Sequence, residues 1–133
     1  MIDINRAFTL LELIIVIIII GVLATLGYTQ YTRTVERGRS AEAKLILGEL
    51  RTAEIAYKLE YGSYTSLGNL PVTAPTSCTT THYYKYGINL AEPAYVWCDR
   101  CTSEGKPPNS AGSYTLRLGL TSGSWADSDP GYW

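Results

Sequence analysis

The 133-residue chain has one histidine, one phenylalanine and one methionine, and charged residues make up only 17% of it. A single histidine leaves few groups for acid–base work near neutral pH. No glycine-rich phosphate loop, Ser/His/Asp set or paired-carboxylate cleft can be read along it. The chain therefore reads as structural and not as an enzyme, with no cofactor called for. Lys and Arg number 11 against 12 Asp and Glu, so the basic surplus of a nucleic-acid binder is missing and no nucleic-acid partner is required. An apolar share of 46% with a formal net charge of −1 excludes a disordered chain. There is no internal repeat.

What is present is piled at one end. Residues 8–26 read FTLLELIIVIIIIGVLATL, with Glu12 as the single charge. A helix rising ~1.5 Å per residue needs about 20 such residues to cross a bilayer's hydrocarbon core, and this run meets that length. A secretory signal peptide would have a shorter apolar region followed by a small-residue cleavage site. Here more helix follows, which predicts a retained membrane helix. A carboxylate at the centre of such a segment costs ~2.5–3.5 kcal/mol. Glu12 therefore either reaches water at the interface or meets a partner charge.

Ahead of the run lies a polar leader, MIDINRA, ending in the small residue Ala7 before Phe8-Thr9-Leu10-Leu11-Glu12. This resembles the prepilin signal of type IV pilins and of the pseudopilins of type II secretion. The resemblance implies that a prepilin peptidase cuts between Ala7 and Phe8 and methylates the new amino terminus on Phe8. The apolar stretch then stays in the mature chain. It also implies that Glu12 meets the Phe8 amine of a neighbouring subunit during assembly. The physics agrees, since opposite charges in low dielectric pair. Gly21 fits the family's glycine position; Ala7 stands where the family usually has glycine, and Thr29 where it tends to have a helix-breaking proline. The stretch YGSYTSLGNL, residues 61–70, resembles the turn that ends the long helix in the same family.

Between these stretches Ala43, Leu47, Leu50, Ala53 or Glu54, Tyr57 and Tyr61 recur at spacings of three and four, which predicts a helix over 29–61. Glu54 and Lys58 have the spacing of an i,i+4 ion pair, and Gly62 is a C-terminal stop. Residues 62–81 read as a loop. Alternation predicts strands over 83–88, 94–98 and 113–121, with hairpin loops at 90–93 and 102–112. The expected fold is α+β, a long N-terminal helix packed on a small antiparallel sheet of about three strands, pilin-like in layout. The expected parts are a leader (1–7), a hydrophobic transmembrane and polymerisation helix (8–28) and a globular head (29–133). Within the head lie the rest of the helix (29–61), the loop (62–81), the sheet region (82–121) and a C-terminal loop (122–133).

Three cysteines belong to a head expected in an oxidising compartment. With the first two strands paired, Cys101 falls opposite about His82, at the end where Cys78 enters. A Cys78–Cys101 disulfide is the first expectation, with Cys98 as a buried thiol; Cys78–Cys98 is the alternative. The same register gathers Cys78, His82, Cys98 and Cys101 into a possible Cys₃His zinc set, although an oxidising compartment favours the bridge and no metal is expected. Cys98 to Cys101 has the C-x-x-C spacing of a redox motif but no βαβ surroundings. Asp127 and Asp129 are too few carboxylates for a calcium site and read as a solvated turn. The tyrosines along the helix read as packing and contact residues.

The resemblance implies a major pilin, the structural subunit of a bacterial type IV pilus, assembled through its hydrophobic helix and serving motility, adhesion or DNA uptake. The alternatives are a major pseudopilin of type II secretion and, from another class, a membrane-anchored binding module (a minor pilin). The implied partners are further copies in a helical filament, the prepilin peptidase, an inner-membrane assembly platform, and membrane lipid before assembly. The implied location is the bacterial inner membrane as precursor, then the cell surface, or the periplasm for a pseudopilin.

Overall fold

The computed structural model describes residues 8–107 and 112–128. Helix α1 covers Leu10–Tyr61, a 3₁₀ turn covers Leu67–Asn69, and four strands follow: β1 (Tyr84–Asn89), β2 (Tyr95–Arg100), β3 (Thr115–Gly119) and β4 (Trp125–Asp127). They form one antiparallel sheet in the order β1-β2-β3-β4. The layout is a long helix and an antiparallel sheet, α+β and pilin-like. The chain divides into two compact units, one ending at Val35 and one beginning at Glu36.

In the first unit every described residue from Phe8 to Thr34 is exposed. No Pro interrupts α1, and Thr29 keeps its place in it by returning its hydroxyl to the Leu26 carbonyl (3.0 Å).

In the second unit α1 buries Glu36, Ser40, Ala43, Leu47, Leu50 and Glu54, a single 3.6-period face. That face meets the inward side of the sheet. Cross-strand rows run Tyr86–Cys98–Leu116 and Ile88–Val96–Leu118, and alternation puts these side chains in the core with Ala94, Tyr114 and Leu120. Gly62 ends α1 as expected, with φ +83° and its N–H on the Lys58 carbonyl (2.8 Å). On the outer face the Trp97 ring lies so close over Gly87 that a Cβ there would collide with it.

Three expectations need correction. The sheet has four strands, not three: β4 lies inside the segment read as a C-terminal loop. Three residues are too few to show a period, and β4 exists because a turn at Gly123 (φ +66°) returns the chain to β3, Gly119 donating to the Ser124 carbonyl at 2.9 Å. Strand β2 runs two residues beyond Cys98 to Arg100, and Cys101 then faces Tyr83, one residue from the expected His82, donating to the Tyr83 carbonyl (2.9 Å). Glu54 does not reach along the surface to Lys58. It turns inward, fully buried, and accepts from the Thr65 N–H (3.0 Å), while Lys58 lies 4.1 Å from the centre of the Tyr64 ring.

Cys78 is bonded to Cys101 and Cys98 is a buried free thiol. The bridge ties the segment after the 3₁₀ turn to the end of β2 and is worth ~2–4 kcal/mol through the unfolded chain it constrains. Burial pushes the Cys98 thiol up to about 12, so it is no thiolate nucleophile. Denatured, unreduced protein should therefore titrate one thiol per chain and reduced protein three. Three thiols without reductant would contradict the bridge.

Candidate assembly and processing site

The start of α1 is set by Thr9, Glu12 and Leu13. Thr9 precedes the helix and its carbonyl accepts from the Leu13 N–H (3.3 Å). Its hydroxyl oxygen accepts from the Glu12 N–H (3.2 Å), and the Glu12 carboxylate accepts from the Thr9 N–H and hydroxyl (both 3.3 Å). This is a capping box, T-x-x-E, in which each residue satisfies a donor the helix start leaves open. Glu12 is thus held in the first turn, where the helix dipole favours a negative charge. Around it the surface is apolar: Phe8 is 83% exposed, Leu10 78% and Leu11 68%, and the span from Leu10 is long and apolar enough to cross a membrane. An anionic group fixed in an apolar surface suits a cation brought by another molecule. Ala7, the other half of the expected processing site, lies outside the described residues.

The remaining sequence candidates form no second site. Both ring nitrogens of His82 are engaged: Nε2 donates to the Ser77 carbonyl (2.6 Å) and Nδ1 meets the Thr81 hydroxyl (2.9 Å). With Cys78 and Cys101 bonded together, the Cys₃His arrangement is not made. Among the described residues no group of three or more His, Cys, Asp or Glu could hold a metal. Asp127 sits in β4 beside Lys44, and Asp129 lies outside the described residues.

Sequence reading missed a buried polar cluster in the second unit. Glu36 Oε1 accepts from Arg100 Nε (2.6 Å), Tyr114 Oη (2.9 Å) and Tyr84 Oη (3.4 Å), and Oε2 accepts from Arg39 Nη1 (3.0 Å) and Arg100 Nη2 (3.4 Å). Arg100 also donates to the carbonyls of Cys101 (2.7 Å) and Tyr83 (3.2 Å). Glu36 and Arg100 are 3% and 2% exposed, so each charge depends on the other. Burial pushes the Glu36 carboxyl up, but Arg100, Tyr114 and Arg39 together outweigh it and hold it below the usual carboxylate range. The cluster fixes α1 to β1, β2 and the residue that leads into β3.

Further along α1, burial raises the Glu54 carboxyl more than the Thr65 N–H lowers it, and among the described residues its buried Oε1 has no hydrogen-bond partner. A carboxyl raised in the folded state favours folding below the unfolded pKa, and that contribution is lost as pH rises through the folded one. Glu54→Gln should therefore flatten the fall in thermal midpoint as pH rises above the usual carboxylate range. An unchanged slope would show that Glu54 ionises freely in the folded head.

The prokaryotic N-terminal methylation motif matches residues 4–28, which contain the capping box and most of the exposed apolar run. The chain is 38% identical over 65 residues to the type IV major pilin protein PilA of Myxococcus xanthus (strain DK1622). That stretch is 49% of this chain and 30% of the relative, so the chain spans less than a third of the protein it matches. No solved structure matches it.

Proposed function

We propose that the chain, which its methylation motif and its match to a type IV major pilin support as a member of the type IV pilin family, is the major structural subunit of a surface filament. The single observation that carries this reading is the capped Glu12 set in a helix whose described residues, through Thr34, are all exposed. So much apolar surface on one chain must be covered, by lipid first and by other copies afterwards. Residues 1–7 act as the leader, removed between Ala7 and Phe8 by a prepilin peptidase that methylates Phe8. Residues 8–28 anchor the chain in the inner membrane and then form the filament core; residues 29–133 are the head. In the core Glu12 pairs with the Phe8 amine of an adjacent copy. The chain acts by assembling, not by catalysis.

The test is the composition of fibres sheared from cells that make the protein. Mass spectrometry should find this chain beginning at Phe8 with a methylated amine. Fibres lacking the chain, with the full-length product confined to membranes, would overturn the reading.

A further inference from the structure

In a lone head the side of α1 opposite the core should be charged and should avoid glycine. This one does neither. Gly38, Leu45, Thr52 and Leu59 recur every seven residues and all face solvent, with Leu45 65% and Leu59 84% exposed. Ala41, Gly48 and Ile55 interleave with them three residues on, completing a seam of the 3-4 spacing by which two helices pack. A shallow groove runs along it, lined by Lys44, Leu45, Gly48, Glu49, Thr52 and Ala56.

Two independent observations say what fits there. A Cβ at Gly38 or Gly48 would meet nothing within 4 Å, so nothing in the head's own packing requires glycine at either position. Glycine inside a helix is costly relative to alanine; what it gains is close approach of another backbone. The flanks are also sorted by charge. Immediately before each of the four solvent-facing positions of the first set stands a basic residue: Arg37, Lys44, Arg51 and Lys58. After Ala41 and Gly48 on the other flank stand Glu42 and Glu49. In a parallel, in-register helix pair each such basic position meets the position five residues further on in the partner. That sets Arg37 against Glu42 and Lys44, which already has Asp127 beside it, against Glu49, each twice over by symmetry.

We propose that this seam docks a second copy of the chain, its α1 parallel and in register, to form a dimer of membrane-held subunits. The proposal rests on the membrane anchoring proposed above, because copies inserted in the same direction present their helices parallel. A two-fold pair of this kind is isologous and closes on itself, so it describes the pool of subunits before filament growth.

The test uses the full chain in lipid vesicles, sedimented to verify its partition, with Leu45→Cys as reporter. Arg117→Cys, exposed on the outer sheet face, is the control, and the buried Cys98 contributes nothing to either. Mild oxidation should link Leu45→Cys into dimers ~10-fold faster than Arg117→Cys, the advantage of held proximity. In the Leu45→Cys background Arg37→Glu should slow linking several-fold, and Arg37→Glu with Glu42→Arg should restore it. Gly48→Ala should slow linking while raising the thermal midpoint, a combination that damage to the fold would not give. Equal rates for reporter and control in chains that do partition would overturn the dimer and leave the filament reading standing. Failure to partition would remove both.

Discussion

Glu36→Ala should cost the head ~3–5 kcal/mol, the penalty of leaving a buried charge without its partner. The alanine variant takes the carboxylate from Arg100, which is 2% exposed and also donates to two backbone carbonyls. It also takes an acceptor from Tyr84 and Tyr114, whose hydroxyls keep their bond to each other. Urea unfolding with unchanged slope and a lowered midpoint would measure the loss. Glu36→Gln should recover only part of it, because the amide returns one acceptor and no charge. The same cluster sets a pH dependence opposite to that of Glu54. A carboxyl held below its unfolded pKa adds stability that is present above the unfolded value and lost as pH falls through the folded one. The wild-type head should therefore weaken on acidification below the usual carboxylate range, and Glu36→Gln should not share that part of the fall. A Glu36→Ala head as stable as wild type would mean that Arg100 finds water, contrary to its burial.

Glu12→Leu should leave processed protein at normal levels in the membrane and reduce filaments to few or none. In the separate subunit the change removes the two bonds from Thr9 to the Glu12 carboxylate and makes the segment more apolar. Insertion should be unharmed. In the proposed assembly it leaves the Phe8 ammonium of a neighbouring copy unpaired in low dielectric, a loss of ~3–5 kcal/mol for each subunit added. Glu12→Gln separates the two roles. Glutamine can complete a capping box as glutamate does, but it carries no charge, so the Glu12→Gln chain should keep its helix start and still fail to polymerise. Immunoblots of membrane fractions and fibre counts on the same cells read both effects. Wild-type fibre numbers from Glu12→Gln would reduce Glu12 to its contacts with Thr9.

How far the sequence could be read depended on how local each signal was. The inward set Tyr114, Leu116, Leu118 and Leu120 alternates over seven residues and is all buried, so β3 was legible, although the strand itself ends at Gly119. The helix face from Ala43 to Leu50 was legible for the same reason, a clean 3.6 period. Arg100 was not, because an arginine closing a strand reads as solvated unless its partner is known, and Glu36 lies 64 residues away. Glu54 was legible as a candidate for the inward helix face, while the nearby Lys58 suggested a surface pair that is not made. Of the proposed assembly site, Phe8 and Glu12 were legible from their motif. The role of Thr9 was there to be found: a threonine three residues before a glutamate, ahead of an apolar run, is the written form of a capping box.

The most direct measurement is a cryo-electron microscopy map of the filament at side-chain resolution. It should show this chain beginning at Phe8, with the Glu12 carboxylate within ~4 Å of the Phe8 amine of an adjacent copy, the range of an ion pair. A filament core in which Glu12 contacts only its own Thr9, with the neighbouring amine elsewhere, would contradict the account.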